Sequence, residues 1–411
     1  MQFSDFTFNK SILKAVAEAR FQTPSLVQQR AIPLVLEKKN VIVSAQTGTG
    51  KTAAFALPII QLLFDRQDAE KGEKKIKSLI ITPTRELAIQ ILENFKSFSK
   101  YSNLRATAVF GGVSLEPQKE ILAKGIDILI ATPGRLIDLQ MQGNIDLSAI
   151  EIFVLDEADL MLDMGFINDV KKIERFCPKQ KQTLLFSATM PEKIVDLAKK
   201  VIKSPVIIEI NPEETTAKNI GQLLYYLPKK NKTDLCLNLL KNTINGKIII
   251  FRRTKFGVDK LEESLTKNGY KVASIHGDKT QGVRNKAIED FKNKTAHILI
   301  ATDVASRGID ITNVDAIINF DIPNVPETYV HRIGRTGRAG KSGIAFSFCS
   351  PDENAYIKLI ETLIEKPIKV ITDHLYIISK PKQKRTQENT VSKHKKGRKS
   401  EASKKKKKRW Y

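Results

Sequence analysis

The feature that most restricts the fold is an alternation that runs through the chain twice. Short apolar runs rich in β-branched residues recur at 41–43, 79–81, 106–110, 128–131, 153–155 and 183–186. Each is followed by a polar or glycine-containing turn and then by a segment of helical periodicity. The rhythm restarts at 223–227 and continues through 248–251, 272–275, 298–301, 316–319 and 344–348. Strands that are apolar throughout and separated by helices predict mostly parallel sheets covered on both faces. Between the two arrays, Asn211-Pro212-Glu213-Glu214-Thr215-Thr216 is polar, contains proline and lacks apolar periodicity, as a linker does. The expectation is an α/β chain of two tandem domains, 1–210 and 219–370, joined by a linker at 211–218. A basic tail, 371–411, follows; hydrophobic residues nearly vanish beyond Pro381, and the tail is expected to be largely disordered.

A chain of 411 residues has material for two or three cores. Its three cysteines, Cys177, Cys236 and Cys349, are scattered and odd in number, which suits small buried hydrophobes in a reducing compartment. The five histidines, at 276, 297, 331, 374 and 394, lack metal-ligand spacing, so no structural zinc is expected. No apolar run reaches membrane-spanning length and no secretory leader is evident, so the expected location is cytoplasmic, with no membrane partner. The formal charge is +23, and residues 380–411 hold 12 Lys and 3 Arg against Glu388 and Glu401. The remainder is still basic. Such a balance favours a polyanion, most often nucleic acid, and the tail is expected to add non-specific binding to it. A merely solubilising tail fits the same charge run equally well.

Two short motifs carry the chemistry. Gly48-Thr49-Gly50-Lys51-Thr52 follows the run 41–43 and opens a helix, where unpaired backbone N–H groups and the helix dipole favour phosphate. Lys51 would reach the β- and γ-phosphates and the Thr52 hydroxyl would ligate magnesium. The strict pattern wants glycine where Ala45 stands. Asp156-Glu157-Ala158-Asp159 closes the run 152–155 and releases three carboxylates at a strand end, the edge where open α/β sheets bind ligands. Asp156 would hold magnesium through water, and Glu157 would orient and deprotonate an attacking water. A lone acidic tetrapeptide reads equally as an exposed helix cap. The phosphate loop in the same sheet, several strands away, counts against that.

Two further groups are ambiguous by themselves. Gln28, after Phe21 and Pro24, has an amide that can donate and accept at once, as an adenine edge requires, and Phe21 could stack on the ring. A surface glutamine and a core phenylalanine fit as well. In His331-Arg332-Ile333-Gly334-Arg335-Thr336-Gly337-Arg338, Arg335 and Arg338 could act as arginine fingers on a γ-phosphate. A basic surface helix or a phosphodiester site fits the same block.

Taken in order, Phe21…Gln28, the loop Ala45 to Thr52, Pro83-Thr84-Arg85-Glu86-Leu87, Gly111-Gly112, Thr132-Pro133-Gly134-Arg135, Asp156-Glu157-Ala158-Asp159 and Ser187-Ala188-Thr189 resemble a DEAD-box RNA helicase. The resemblance continues through Phe251…Thr254, Gln281…Arg284, Ala301-Thr302-Asp303…Arg307-Gly308-Ile309-Asp310 and the block 331–338, covering about residues 1 to 370. The short N-terminus and Met161-Leu162-Asp163-Met164-Gly165-Phe166 resemble the bacterial RhlE-like branch. The resemblance implies two RecA-like domains, ATP and Mg2+ as cofactors, and RNA as partner through its backbone. It implies adenine recognition by Phe21 and Gln28, with Phe3 as upstream support. It implies phosphate binding by Ala45, Gln46, Thr47, Gly48, Thr49, Gly50, Lys51 and Thr52, with Ala45 the family's usual residue at its position. Catalysis would fall to Lys51, Asp156, Glu157, Arg335 and Arg338, magnesium to Thr52 and Asp156, and the ribose to Asp310. Ser187 and Thr189 would couple hydrolysis to strand separation. Arg85, Gly112, Thr132, Arg135, Gln281, Arg284 and Thr302 would contact RNA. Ser25 and Val27 depart mildly, standing where the family more often has Thr and Ile. The implied activity is RNA-stimulated ATP hydrolysis that closes two domains and locally unwinds short duplexes, in ribosome assembly, RNA decay or cold adaptation. An ATP-gated RNA clamp that scaffolds an assembly predicts the same ATP residues; a DNA helicase is disfavoured by the Gln28 motif and the Thr-Pro-Gly-Arg block.

Overall fold

Full burial on both faces is what the β-branched runs require, and the chain meets it with two seven-stranded sheets. The computed structural model describes residues 1–46, 48–65, 75–210, 220–306, 311, 314–337 and 342–377. The expected linker and nearly all of the basic tail therefore lie outside the described residues. The first sheet comprises β1 (Val41–Ser44), β2 (Ser78–Ile81), β3 (Ala106–Val109), β4 (Ile128–Ala131), β5 (Ile152–Leu155), β6 (Gln182–Ser187) and β7 (Val206–Glu209). Its spatial order is β3-β4-β2-β5-β6-β1-β7, every pair parallel. The second comprises β8 (Ile220–Tyr226), β9 (Ile248–Arg252), β10 (Val272–Ile275), β11 (Ile298–Thr302), β12 (Ala316–Asn319), β13 (Gly343–Cys349) and β14 (Lys369–Val370). Its order, β10-β11-β9-β12-β13-β8-β14, repeats the first strand for strand. β7 and β14 are edge strands beyond the twelve runs read from sequence.

Alternation within each strand divides the first sheet's core in two. Val41, Val43, Ile80, Val154, Leu184 and Phe186 face helices Leu26–Leu36, Lys51–Phe64 and Arg85–Phe98. Ile42, Leu79, Ile81, Phe153, Leu155 and Leu185 face the opposite layer, which includes Leu136, Val170, Ile173 and Leu197. Helix Lys51–Phe64 is buried along most of its length, so the phosphate loop before it is anchored to the centre of the domain. All three cysteines are free and buried. Among the described residues, no helix is long and apolar enough to cross a membrane.

The second sheet carries a buried ion pair at the ends of its strands. Lys232, 1% exposed, donates to the Phe320 carbonyl at 2.9 Å and meets Glu353 Oε2 at 2.5 Å. Glu353 also accepts from Ser350 N and Oγ at 3.1 and 2.8 Å, from Ile322 N at 3.1 Å and from Arg253 Nη2 at 2.8 Å. Removing one partner of such a pair strands the other charge away from water. Lys232→Ala should therefore destabilise the second sheet by about 3–5 kcal/mol, read as a lower urea midpoint. An unchanged midpoint would show that the pair does not hold these strand ends together.

Candidate nucleotide site and inter-sheet groove

The strand order places the chemistry. β5, β6 and β1 are neighbours, so the loops that leave their C-terminal ends lie side by side. Only β6 separates the acidic cluster from the phosphate loop, closer than the several strands expected from sequence, because β1 returns to pair with β6. Ala45 N donates to the Ser187 carbonyl at 2.9 Å and ties two of these loops directly.

At the phosphate loop, Gly50 has φ +91° and caps helix Lys51–Phe64; an added Cβ would strike the Gln28 amide nitrogen. Only glycine takes that conformation at that approach without strain. Gln28 is 3% exposed. Its Nε2 donates to the Gly50 carbonyl at 3.1 Å, and its Oε1 accepts from Ser25 N at 2.9 Å. Ser25 Oγ donates to the Thr49 carbonyl at 2.7 Å. Gln28 thus braces the phosphate loop, and the amide keeps one N–H and one lone pair beyond these bonds. Phe21 packs edge-on against Phe98 at 5.3 Å and Phe3 at 6.2 Å, so Phe3 does stand behind it. Thr47 lies outside the described residues.

Lys51 Nζ lies 3.0 Å from Glu157 Oε1, both side chains at least nine-tenths buried. Burial opposes the ammonium, but the carboxylates of Glu157, Asp156 and Asp159 outweigh it and raise its pKa. The Asp156 carboxyl is pushed up, first by burial and then by the charge of Glu157, with Lys51 opposing. Asp156 Oδ1 is buried without a hydrogen-bond partner. Such an unsatisfied hard oxygen, close to a phosphate loop ending in Thr52, fits a divalent cation. Glu157 holds the left-handed conformation at φ 53°, a cost of about 1–2 kcal/mol for a residue with a Cβ.

Asp159 is the hub of the cluster. Its Oδ2 accepts from Thr189 N and Oγ1, both at 3.0 Å, and its backbone N–H donates to Ser187 Oγ at 3.1 Å. Burial works against its charge, but Lys51, then His331, Thr189 and Ser187, hold it below the usual carboxylate range. His331 belongs to the second sheet's domain, so the two halves meet here. Arg335, 6% exposed, follows helix Pro326–Ile333. Arg332 has a structural role: it pairs with both oxygens of Asp303 at 2.6 and 2.8 Å and donates to Asn319 Oδ1 and the Asp321 carbonyl. Asp310 and Arg338 lie outside the described residues.

A groove of about 310 Å³ lies between the sheets, lined by Arg85, Glu86, Thr132, Arg135 and Arg284 among others. Gly112, at φ +75°, adjoins it: the Arg85 guanidinium donates to the Gly111 carbonyl, where a Cβ on Gly112 would collide. Arg135 Nη2 donates to the Val113 carbonyl at 2.9 Å. Burial, and the charges of Arg284 and Arg135, lower the Arg85 pKa against the pull of Glu86. Thr302 ends β11 and does not line the groove. Glu86 stands in the Pro-Thr-Arg-Glu-Leu motif with no role expected of it, yet it joins the sheets. Its Oε1 accepts from Gln281 Nε2 at 3.1 Å and pairs with Arg284 Nη2 at 2.9 Å. No local spacing signals this contact, because Gln281 lies 195 residues further along the chain.

Fold and site together define a nucleotide-dependent enzyme built from two RecA-like sheets. Residues 25–197 match the DEAD/DEAH box helicase family and residues 231–340 the helicase conserved C-terminal domain. The DEAD-box ATP-dependent RNA helicase RhpA of Helicobacter pylori is 43% identical over 368 residues, 90% of this chain and 73% of that protein. The ATP-dependent RNA helicase CshA of Listeria monocytogenes is 43% identical over 365 residues, 89% of this chain and 69% of that protein. Saccharomyces cerevisiae Dbp5 bound to RNA and ADP BeF3 superposes with a TM-score of 0.81 at 33% identity, covering 90% of this chain and 95% of Dbp5. The chain belongs to the DEAD-box ATP-dependent RNA helicase family.

Glu86→Ala should raise the RNA concentration that half-saturates ATP hydrolysis by about 10-fold or more, the scale of a charged hydrogen bond. ATP affinity without RNA should stay at the wild-type value. An unchanged half-saturation point would remove Glu86 from the groove's assembly.

Proposed function

We propose that this chain hydrolyses ATP in response to RNA and uses the cycle to close two domains, 1–210 and 219–370, on a single strand, separating short duplexes locally. The observation that carries this reading is Asp159: its carboxylate is bonded by Thr189, and the charges of Lys51 in its own domain and His331 in the second help hold it below the usual carboxylate range. A change at the phosphates is thereby felt by both halves.

Lys51 pairs with Glu157 at 3.0 Å. Phosphates at the loop compete for the Lys51 ammonium, which frees Glu157 to orient a water and accept its proton. Gln28 and Ser25 keep the loop's backbone in place for this exchange. Phe21 and the remaining donor and acceptor of Gln28 suit adenine. Asp156 and Thr52 would hold Mg2+, which supplies charge neutralisation on the phosphate oxygens. Arg335 and Arg338 complete the γ-phosphate side from the second domain, and Asp310 the ribose. Ser187 and Thr189, bonded to Asp159, pass the state of the phosphates to the groove. There Arg85, Gly112, Thr132, Arg135, Gln281 and Arg284 take phosphates and sugars, with Thr302 contributing from the end of β11 outside the groove's lining; such contacts position a strand without reading its sequence. The Dbp5 structure with RNA and an ATP-site ligand supports this arrangement through its shared fold. Ribosome assembly, RNA decay or cold adaptation would be the setting, in the cytoplasm, a location supported by three free, buried cysteines. Residues 161–166 are the basis for the RhlE-like branch, and the relatives RhpA and CshA are bacterial.

Glu157→Gln should bind ATP and RNA yet release phosphate about 10²-fold more slowly or worse, the usual contribution of a general base. Wild-type turnover in a phosphate-release assay would refute the role of Glu157.

A further inference from the structure

A second cleft, of about 300 Å³, lies beside helix Lys255–Lys267 on the second sheet's domain, with Thr233 of helix Lys232–Asn242 as its other wall. None of the residues assigned to ATP or RNA above lines it. Arg252, Lys260 and Lys267 give it three cations against one carboxylate, Glu263. Lys267 and Glu263 pair at 2.6 Å, but both are largely exposed, and such a pair is worth little and yields readily to a phosphate. Lys260 has no ion-pair partner among the described residues. The Arg252 guanidinium stacks 4.1 Å from the Phe320 ring centre and rests against Gly257, where an added Cβ would lie 2.6 Å from Nη2. Its Nε lies 3.3 Å from Asp321 Oδ2 yet is buried without a hydrogen-bonded acceptor. The guanidinium is thus ion-paired with Asp321 along one edge while its Nε lacks an aligned hydrogen-bond acceptor.

Phe256, in the first turn of the same helix, is 75% exposed. Residues 256, 260 and 267 share one side of the helix, spread over about 16 Å of its length. The preceding residue, Lys255, pairs with Asp278 at 2.5 Å, and Gly277 beside Asp278 lines the inter-sheet groove. The helix therefore begins next to the loop at which the groove is built. An exposed aromatic followed by regularly spaced cations is the chemistry that holds single-stranded nucleic acid, by stacking and by phosphate contact.

We propose that this cleft is a second single-stranded RNA site, which takes nucleotides flanking those held between the sheets, with phosphates on Arg252, Lys260 and Lys267 and a base on Phe256. It rests on the RNA-dependent reading above. An acidic peptide would satisfy the cations but leave the aromatic unused.

The test uses the full chain, so the basic tail is common to every variant. Affinity is measured by fluorescence anisotropy with a non-hydrolysable ATP analogue, for a short RNA that fills only the groove and for one extended at both ends. Phe256→Ala should weaken the extended RNA about 5-fold, the lower end of a lost stack. Lys260→Glu with Lys267→Glu should reduce the slope of log affinity against log salt by about 1.4, two phosphate contacts on a single strand. Affinity for the short RNA, and ATP hydrolysis stimulated by it, should stay at wild-type values. Lys199→Glu with Lys200→Glu, a charge-matched swap on helix Glu192–Val201 of the first domain, should leave the slope unchanged. Wild-type affinity and slope for the extended RNA in both variants would overturn the proposal and leave the cleft to an acidic peptide. An equal loss in the charge-matched swap would overturn it too, as bulk charge. Failure of the short RNA to stimulate the wild-type chain would instead refute the RNA-dependent reading.

Discussion

The ammonium of Lys51, buried among Glu157, Asp156 and Asp159, is the interaction on which the rest of the first domain's site depends. Three carboxylates that close together would not stay charged in a buried pocket without a cation. Lys51 supplies one, and the acids then divide the chemistry among them. Glu157 sits on the ammonium, Asp159 on Thr189 and Ser187, and Asp156 keeps an oxygen unsatisfied. The left-handed backbone at Glu157 is the local cost of turning all three the right way at a strand end. On the function proposed above, a nucleotide competes with the protein's own carboxylate for one ammonium, so that binding and activation of the base would be the same event.

The repeated strand order explains how two halves of one sequence come to meet across a shared site. In each sheet the first strand of the array inserts beside the sixth, and a threonine caps the helix that follows the second: Thr84 accepts from Leu87 N at 3.3 Å, Thr254 from Gly257 N at 3.0 Å. Equivalent edges therefore present equivalent loops. Divergence lies in the side chains: the first domain holds the carboxylates, the second its arginines and His331. The first domain brings one cation, Lys51, to its three carboxylates, and the second adds further positive charge.

Interior strands were legible from sequence because burial on both faces leaves no room for polar residues, as in the wholly apolar runs at 128–131 and 152–155. β7 escaped notice because it is an edge: Ile207 and Glu209 face outward and its only neighbour is β1. β14, two residues long, is defined by pairing with β8 and by little of its own sequence. The gathering of Lys51, Asp156 and Glu157 at one sheet edge could be read from residue type and strand-end position. Gln28 could be read only in part, since its bond to the Gly50 carbonyl joins residues 22 positions apart through a turn. Arg332 and Arg335 look alike in sequence; only burial against Asp303 shows that Arg332 serves the fold.

Glu86 shows why such contacts stay hidden. It stands next to Arg85 in sequence, and an acid in the first turn of a helix reads as an ordinary complement to the helix dipole. In space it faces the other domain, bonds Gln281 and pairs with Arg284, whose charge would otherwise confront Arg85 and Arg135 unopposed. Arg85, Arg135 and Arg284 carry like charge into one groove and repel one another. One carboxylate among them offsets that repulsion and ties Gln281 and Arg284 of the second domain to the first. The junction of the two domains thus depends on an anion of the protein as much as on its cations.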